Sequence, residues 1–389
     1  MQESKFKRSA CAAIFLCFVI AGAVAFSATR LNLDEVVAPA QVKLPNVLAH
    51  SAKPNLPKRK VPIGPRLLRQ LTWEKKGLVI PPDPRSRWRS HLAGMACVHK
   101  QRNGYRAYLA GSCASTSAMS IGWVVLSDDF EIVQESPEAI VSPRSGNFDD
   151  RGTLAPFVVR VDDQTLYMYY VGWTQGGPLE LRMEPGLAIS NDDGATWQRP
   201  VEGSFMPKDA HDPHGIGTVC VLIDEPGRWR MWYTSIQPPV DFNGQKVTNR
   251  YFIKHAESAD GIHWHKPPNN TALDIDGRSI ASKPMIVREP DGMRMFYSFK
   301  QAHSNRLLPD EYRICEAHSM YGRMWYDQGV VLDVSASGWD SEMVEYAWVI
   351  PQGDEYLMFY SGNGFGATGT GLAIGRYASA DVEPTVDLR

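Results

Sequence analysis

A three-residue aromatic signature, which is Met followed by two aromatic residues, recurs along this chain at nearly constant spacing. Its four clear copies begin at Met168, Met231, Met295 and Met358, at intervals of 63, 64 and 63 positions (231−168, 295−231, 358−295). A weaker copy, Ala107-Tyr108-Leu109, begins 61 positions before the first (168−107). Five copies of a unit of this length indicate five repeated supersecondary blocks, as in propellers and solenoids.

Each repeat has the same internal order. An apolar strand is followed by a turn rich in Asp, Gly, Pro or Asn and then by the signature strand, which predicts a hairpin. A third strand leads into a second motif, Ser-x-Asp-Gly-x-x-Trp, clear at Ser258 to Trp264 and Ser190 to Trp197 and eroded at Ser319 to Trp325. The predicted first strands run from Gly94 to His99, Ala155 to Val161, Thr218 to Ile223, Pro284 to Arg288 and Tyr346 to Ile350. With no amphipathic helix in the repeats, this order predicts an all-β fold, a five-bladed β-propeller over residues 71–389.

The first 28 residues carry an export signal. Lys5, Lys7 and Arg8 precede an apolar run from Ala10 to Ala28, which is a basic region followed by a hydrophobic segment. The sequence Ala23-Val24-Ala25 suits signal peptidase, but 19 mostly apolar residues can also remain as an uncleaved membrane anchor. Residues 1–28 are therefore predicted to be a signal peptide or a signal anchor. The rest of the chain is expected to be periplasmic, to be membrane-anchored facing the extracytoplasmic side, or to be secreted.

Residues 29–70 contain six prolines between Pro39 and Pro65 and predict an extended stem or linker. The net charge of −2 over 389 residues gives no electrostatic reason to expect nucleic acid as a partner. Cys97, Cys113, Cys220 and Cys315 are widely scattered without metal-ligand spacing, so no metal or other cofactor is predicted. One disulfide bond or four buried thiols are both compatible with this spacing.

Ligand sites of propellers lie at one end of the central channel, where the innermost strands start. The residues at that end are polar in every predicted repeat. Asp150 lies 18 positions before Met168 (168−150) and Asp212 lies 19 positions before Met231 (231−212), so we expect them at equivalent depth, with Glu345 deeper at the start of its strand. Because acids from different repeats converge there, the predicted catalytic residues are Glu345, Asp150 and Asp212. The predicted substrate-binding residues are Asp149, Arg151, His214, Arg278, Lys283, Glu342 and His91.

A Gly-rich stretch from Tyr360 to Gly369 follows the last signature strand. It lacks the Lys-Ser/Thr ending and the following helix of a phosphate-binding loop. We expect a tight loop over the channel mouth, since Gly lets the backbone approach a ligand closely.

These motifs resemble those of the five-bladed glycoside hydrolases, which include the arabinanase and xylosidase type (family 43), the invertase type (family 32) and the mannoside phosphorylases (family 130). The resemblance covers roughly residues 85–378. The segments Gly338 to Tyr346 and Tyr360 to Gly364 resemble a less characterised, hydrolase-like branch found with polysaccharide genes. Family 43 and 32 enzymes carry an Asp base, an auxiliary Asp and a Glu acid on the first three blades. This chain has no matching acid on its first blade and no Asn-Asp-Pro-Asn motif.

The resemblance implies a glycosidase that acts on an extracytoplasmic oligo- or polysaccharide. In that hypothesis Glu345 protonates the leaving oxygen, Asp150 is the base or nucleophile, and Asp212 holds the sugar and tunes the acid. Two alternatives stay open. In a phosphorylase or transferase, Arg278, Lys283 and His214 would bind phosphate. A non-catalytic propeller would only bind glycan for polysaccharide assembly. The sequence shows no protein partner.

Overall fold

The structure is a computed structural model that describes residues 67–113, 118–177, 180–242, 245–247, 250–277, 279–301 and 312–378. All of them belong to the second of two compact units, Ile63–Arg389. The predicted signal or anchor (1–28) and all but the last residues of the predicted stem (29–70) lie outside the described residues. Within the described ranges no helix is long and apolar enough to cross a membrane.

The regular secondary structure of the described residues is almost entirely β-strand, which confirms the predicted all-β class. A single short helical turn, α1 (Asn363–Gly366), interrupts them. The strands are β1 (Leu71–Ile80), β2 (Leu92–Lys100), β3 (Tyr105–Ser112), β4 (Met119–Leu126), β5 (Ile132–Glu135), β6 (Gly152–Arg160), β7 (Leu166–Gly177), β8 (Glu180–Ser190), β9 (Ile216–Glu225), β10 (Arg228–Gln237), β11 (Val240–Phe242), β12 (Gln245–Val247), β13 (Arg250–Ser258), β14 (Trp264–His265), β15 (Thr271–Leu273), β16 (Ile280–Glu289), β17 (Gly292–Lys300), β18 (Arg313–Ser319), β19 (Tyr326–Leu332), β20 (Glu345–Gln352), β21 (Glu355–Ser361) and β22 (Thr370–Tyr377).

Apart from the β11–β12 hairpin, consecutive strands of the described part of the chain pair antiparallel and form five groups. Single parallel pairs, Met119 with Gly152 and Tyr251 with Ile280, join the first group to the second and the third to the fourth. The first group is β2-β3-β4-β5, the second is β6-β7-β8, and the third is β9-β10-β13 with β14 and β15 on its edge. The fourth is β16-β17-β18-β19 and the fifth is β20-β21-β22. Strand β1, which the sequence did not predict, pairs with β22 and completes the fifth group from the N-terminal side. Alternate residues of β1 face the protein, so its burial pattern is that of an edge strand.

The aromatic signature occupies the middle strand of every group, namely β3, β7, β10, β17 and β21. All of its residues are at most 2% exposed, from Ala107 to Tyr360, which confirms that these aromatic side chains are core. Burying a large apolar side chain contributes about 1.5–3 kcal/mol relative to leaving it exposed. Repeating the signature in each group therefore gives each one its own part of a continuous core.

The signature is linked to the Ser-x-Asp-Gly-x-x-Trp turn of the next group. The Tyr169 hydroxyl donates to the Gly261 carbonyl at 2.7 Å, and Trp232 Nε1 donates to the Gly322 carbonyl at 2.7 Å. Gly261 and Gly322 have φ of 75° and 82°, and a Cβ on either would lie within 3 Å of these aromatic rings or of the tyrosine oxygen. The two motifs recur together because one provides the donor and the other the acceptor.

The first strands of the five groups contact one another in a closed order. Strand β2 contacts β6 and β20, β9 contacts β6 and β16, and β16 also contacts β20. Each of these inner strands carries a two-residue β-bulge at the same position, at residues 95–96, 155–156, 217–218, 283–284 and 346–347. The inner strands begin earlier than the sequence predicts. Four begin two to four residues before their predicted starts at Gly94, Ala155, Thr218 and Pro284, and the fifth begins one residue before its predicted start at Tyr346.

Backbone N–H groups at three of the bulges connect neighbouring groups. Each donates to a hydroxyl three residues after the start of the signature on the preceding group. The bonds run from Met95 N to Ser361 Oγ (2.8 Å), from Tyr346 N to Ser298 Oγ (3.0 Å) and from Lys283 N to Thr234 Oγ1 (3.1 Å). Met95, Ala155, Lys283 and Tyr346 all have positive φ, between 50° and 58°, so the bulges hold these residues in a conformation that non-Gly residues rarely adopt.

Candidate active site

Three buried aspartates share one contact across different groups. The carboxylate of each accepts a hydrogen bond from the tyrosine that ends the signature of its own group. The bonds are Tyr170 to Asp149 (2.9 Å), Tyr233 to Asp212 (3.1 Å) and Tyr360 to Asp340 (3.0 Å). All three aspartates are at most 2% exposed. Burial above all raises the pKa of each tyrosine, so each hydroxyl stays protonated as the donor.

Each of these aspartates is also neutralised by a basic side chain. Asp212 lies 3.0 Å from Lys254 Nζ and 2.8 Å from Lys266 Nζ, and it accepts a further hydrogen bond from Ser235. Burial acts to raise the pKa of Asp212, but the hydrogen bonds from Lys266 and Ser235 and the charge of Lys254 hold it below its usual value. Asp212 is therefore an ionised carboxylate whose oxygens are occupied by partners within the protein.

The same description applies to Asp149 and Asp340. Asp149 lies 3.1 Å from Arg144 Nη2, and Asp340 lies 2.7 Å from Lys75 Nζ. These contacts correct the equivalence expected from the sequence. Asp149, which lies 19 positions before Met168 (168−149), is the counterpart of Asp212, and Asp150 is not. Counting residues does not decide between two adjacent aspartates, because Asp340 makes the same contact from 18 positions before Met358 (358−340). The tyrosine contact shows which of the two turns inward.

Asp150 has a different environment from Asp149. Its side chain is partly exposed, and its buried Oδ1 has no hydrogen-bond partner within the described part of the chain. The indole of Trp173 covers Gly152, two residues later, and Trp173 Nε1 is a second buried group that lacks a partner in the same ranges. Arg151, which follows Asp150 in the chain, links this segment to Trp173, since its backbone N–H donates to the Trp173 carbonyl at 3.1 Å. Asp150 and Trp173 thus present an acceptor and a donor that the protein leaves unused.

Glu345 is the first residue of β20, is 1% exposed and pairs in register with Ser361 on β21. The next residue, Tyr346, is the bulge residue of that inner strand. Burial first, and then the nearby charges of Glu345 and Tyr251, raise the pKa of the Tyr346 phenol well above its usual value. Glu345 therefore lies at the start of an inner strand, and the adjacent Tyr346 phenol stays protonated.

Two apolar clusters meet around these residues. One joins Leu92, Met95 and Ala155 to Trp173, Met183, Tyr346 and Phe365, and the other joins Ile280, Tyr312 and Met343 to Tyr251 and Phe365. We call Trp173, Tyr251, Tyr312, Tyr346 and Phe365 the aromatic mouth. The sequence did not identify these residues as site residues, because nothing local separates them from the core aromatic residues.

Phe365 belongs to both clusters and comes from the Gly-rich stretch predicted to cover the mouth. It has φ of 62° within α1, and a Cβ on Gly94 of β2 would lie 2.6 Å from the Phe365 carbonyl oxygen. The stretch therefore packs directly on an inner strand, as the sequence predicts. A Phe between glycines was the available signal for this member of the mouth.

Lys283 lies inside the channel. It is 1% exposed, and its Nζ lies 5.6 Å from the ring centroids of both Phe157 and Trp348. Those rings come from β6 and β20, which are not neighbours in the order of the inner strands, yet their centroids are 4.9 Å apart. The contact therefore crosses the channel and fills it. Lys283 Nζ has no hydrogen-bond partner among the described residues, and burial lowers its pKa.

Cys97 and His99 form a second buried pair, with Sγ 3.3 Å from Nε2. Burial raises the pKa of Cys97 to about 12 and lowers the pKa of His99 to about 4. Both groups are therefore neutral at pH 7, and Cys97 is not available as a thiolate nucleophile. Cys97 and Cys220 are free, buried thiols.

The remaining predicted site residues are more peripheral. Arg151, His214, Glu342 and His91 are all exposed. Main-chain contacts hold three of them: Arg151 N donates to the Trp173 carbonyl as described above, Glu342 N donates to Asn363 Oδ1 at 2.8 Å, and His91 N donates to the Ser112 carbonyl. Arg278 lies outside the described residues. Among the residues that the structure describes, no three His, Cys, Asp or Glu side chains are grouped to hold a metal ion.

The structure therefore brings together only part of the predicted site. Glu345 borders the aromatic mouth through Tyr346, and Asp150 borders it through Trp173. Lys283 lies in the channel against Phe157 and Trp348. Asp212 and Asp149 are tied to the cores of their own groups and do not present their carboxylates to a ligand.

Comparison with known proteins gives relatives and a shared fold. No protein-family model matches the chain. The uncharacterized proteins MT1551 and Rv1502, from two strains of Mycobacterium tuberculosis, are each 32% identical to it over 316 residues, which covers 78% of this chain and 99% of each relative.

Solved structures of similar fold are more distant in sequence. A complex of BT0996 with RGII matches with a TM-score of 0.60 at 17% identity, covering 79% of this chain and 93% of the other. A glycosyl hydrolase from Bacteroides ovatus matches with a TM-score of 0.59 at 14% sequence identity, covering 79% of this chain and 93% of the other. A GH130 protein matches with a TM-score of 0.59 at 13% sequence identity, covering 81% of this chain and 96% of the other. The GH130 family of mannoside phosphorylases contains glycoside hydrolases that target β-1,2 mannosidic linkages in Candida mannan. The chain therefore shares its fold with these three proteins, and it belongs to the family of the mycobacterial proteins MT1551 and Rv1502.

Proposed function

We propose that this chain is a glycosidase that cleaves glycosidic bonds in an extracytoplasmic oligo- or polysaccharide. One observation carries the proposal: a buried glutamate, Glu345, and an aspartate with an unused oxygen, Asp150, border the same aromatic mouth at the start of the inner strands. Glycosidases need two carboxyl groups on either side of the scissile bond, and aromatic faces stack on sugar rings. The shared fold with glycoside hydrolases supports this function.

The two carboxyl groups are assigned roles by their environments. Glu345 lies in the apolar, aromatic setting that glycosidases use for the proton donor, whereas Asp150 is partly exposed and suited to act on water or as nucleophile. Asp212 is left out of the chemistry, because its oxygens already accept from Tyr233, Ser235 and two lysines. We assign it the structural role that Asp149 and Asp340 share.

The finer architecture is part of the proposal. The closed order of five inner strands supports a five-bladed propeller, with one group of strands per blade. We further propose that residues 1–28 export the chain and that the domain from residue 71 works outside the cytoplasm, either attached to the membrane or released. The basic and apolar pattern of residues 5–28 is the support for this location.

The test is turnover of a panel of oligosaccharides and nitrophenyl glycosides by the purified chain and its variants. For any substrate that wild type cleaves, Glu345→Gln and Asp150→Asn should each lower kcat by about 10²–10⁴-fold, the usual contribution of a general acid or base. Asp163→Asn, which changes an exposed acid in the turn after β6, should leave kcat unchanged. Full activity in both Glu345→Gln and Asp150→Asn would overturn the assignment.

A glycan-binding propeller without catalysis is the second candidate. It is favoured by the mainly aromatic and apolar lining of the mouth. Of the three predicted catalytic acids, Asp212 is bound by Tyr233 in an Asp–Tyr contact, which leaves Glu345 and Asp150 at the mouth. Binding by wild type and by Glu345→Gln with equal affinity, without turnover, would favour it. A phosphorylase has less support, since Lys283 Nζ is directed between Phe157 and Trp348 rather than offered to phosphate.

A further inference from the structure

The eroded turn Ser319 to Trp325 has the same scaffold as its two better-preserved counterparts. In each, a serine hydroxyl accepts from the glycine N–H, and the tryptophan Nε1 donates to the glycine carbonyl. The serine–glycine distances are 2.8 Å at Ser190, 2.9 Å at Ser258 and 2.8 Å at Ser319, and the tryptophan–glycine distances are 3.2, 3.0 and 2.9 Å. The same two hydrogen bonds therefore hold all three turns.

The turn residues that take no part in these two hydrogen bonds differ in polarity between the three turns. Asp260 accepts hydrogen bonds from the N–H groups of Ile262 and His263, and Asp192 accepts one from Thr196 N. Tyr321 stands at the position of Asp260 and is 78% exposed. The flanking Ala259 and His263 are replaced by Met320 and Met324, which are 48% and 67% exposed. This turn gives up the hydrogen bonds of the aspartate and exposes three large apolar side chains instead.

Arginines surround these side chains. A groove of about 290 Å³ is lined by Arg228, Arg230 and Arg288 together with Met293, Met320 and Tyr321. The side chains of Arg228, Arg288 and Arg323 are 66%, 46% and 71% exposed. Four arginines meet four nearby carboxylates. Asp224 is shared by three of them, Glu225 pairs with Arg228, Glu257 pairs with Arg323, and Glu289 also lines the groove. Despite these ion pairs, the side chains of Arg228, Arg288 and Arg323 stay exposed around the apolar tip.

The chain enters the described domain at this same place. Leu68 N donates to His318 Nδ1 at 3.3 Å, and a Cβ on Gly292, which lines the groove, would lie 3.5 Å from the Leu68 side chain. The sequence before Leu68 includes the apolar run Ala10 to Ala28. The groove also lies where β9 and β16 end, which is the end of the inner strands opposite Glu345. A membrane bound at this face would leave the aromatic mouth open.

We propose that Met320, Tyr321 and Met324 dock onto an anionic phospholipid surface, with Arg228, Arg288 and Arg323 binding the headgroup phosphates. Apolar side chains placed in the interface and arginines at headgroup level are the two components of peripheral membrane binding. The inference rests on the extracytoplasmic, membrane-attached location proposed above. It adds which face of the domain meets the lipid.

Peroxide oxidation of the full-length chain, followed by mass spectrometry, tests this contact directly. The chain is mixed with vesicles of phosphatidylcholine, with vesicles that also contain phosphatidylglycerol, or with none. On the anionic vesicles, oxidation of Met320 and Met324 should slow several-fold relative to both other conditions. Buried methionines such as Met231 and Met295 serve as internal references.

Tyr321→Asp restores the residue of the counterpart turns, keeps both methionine reporters and should abolish the protection. Val133→Asp, at an exposed apolar residue on β5, is the matched control and should keep it. Protection of the two methionines on anionic vesicles, in a mature chain that has lost the apolar segment, would support docking. The same result would contradict attachment of the chain to the membrane through that segment. Equal oxidation of Met320 and Met324 in all three conditions, with the chain bound to the vesicles, would overturn docking.

Discussion

The buried lysines of the third strand group differ from the buried lysine of the channel in how their charges are compensated. In the third group, Asp212 is balanced by Lys254 and Lys266 and accepts from Tyr233. In the channel, Lys283 is just as buried but has no carboxylate or hydrogen-bond partner among the described residues. Satisfied buried charges serve the fold, whereas unsatisfied ones mark positions that the fold alone does not explain.

The largest expected effect is on the compensated side. Asp212→Asn removes the charge that Lys254 and Lys266 share. Lys254, whose side chain is 9% exposed, then lacks its carboxylate partner, and Lys266 keeps only Asp209. We expect the free energy of unfolding to fall by about 3–5 kcal/mol, as for other broken buried ion pairs. Urea unfolding measures the loss. Asp150→Asn, at an acid whose Oδ1 has no hydrogen-bond partner among the described residues, is the comparison variant. A loss as large as that of Asp212→Asn would erase the distinction between the two kinds of acid.

Removing the signature hydroxyl should have a smaller effect in the same direction. Tyr233→Phe loses the bond to Asp212 and the one that Asn270 Nδ2 donates to the hydroxyl at 3.0 Å. Asn270 keeps its bond to the His255 carbonyl, so we expect a loss of about 1–3 kcal/mol. Tyr321→Phe, at an exposed hydroxyl, should change the unfolding free energy by almost nothing. A neutral result for Tyr233→Phe would show that the Asp–Tyr contact is not a source of stability.

Lys283→Met should change stability in the opposite direction. Methionine has a similar length and removes a buried amine without a hydrogen bond, so the free energy of unfolding should rise by about 1–3 kcal/mol. Lys254→Met is the matched substitution of a compensated lysine and should be destabilising. Were Lys283→Met also destabilising, the amine would have to be satisfied in the channel by a bound water or anion.

The pH dependence of stability provides the finest test. The folded protein holds the pKa of Asp212 and of Asp340 below the usual value of 3.8. The unfolded chain therefore takes up these protons first as the pH falls, so this stabilisation is present above about pH 4 and is lost as the pH drops toward the folded pKa values. Urea midpoints measured from pH 5 downward should decline, and less steeply in Asp212→Asn. Parallel slopes would mean that Asp212 contributes little to acid unfolding.

The repeat could be predicted from sequence because its signals are local. Strand alternation, Asp-Gly turns and the spacing of Met168, Met231, Met295 and Met358 indicate hairpins of one kind in an all-β fold. The edge strand β1 was missed because its partner, β22, lies 299 positions away (370−71). Short amphipathic strands give no sign of which distant edge they complete.

The candidate site was predictable only in part. The position of Glu345 before an inner strand and the Gly-rich stretch both pointed to the channel end, where the structure places them. Asp212 was nominated for chemistry because an acid before a strand has the same appearance whether it faces a ligand or a lysine. Trp173 and Tyr346 were not nominated, since their place in the mouth depends on the packing of separate groups.

The strand repeat and the burial of its aromatic signature follow from the sequence, because both depend on the order of apolar and polar residues along a short segment. Tertiary packing was needed to show that Asp149 turns inward while Asp150 keeps an oxygen without a hydrogen-bond partner among the described residues, and that Lys283 meets Phe157 and Trp348 across the channel. The physical reason is that charge compensation and burial depend on neighbours from other strand groups. Those neighbours come together only when the inner strands close upon one another.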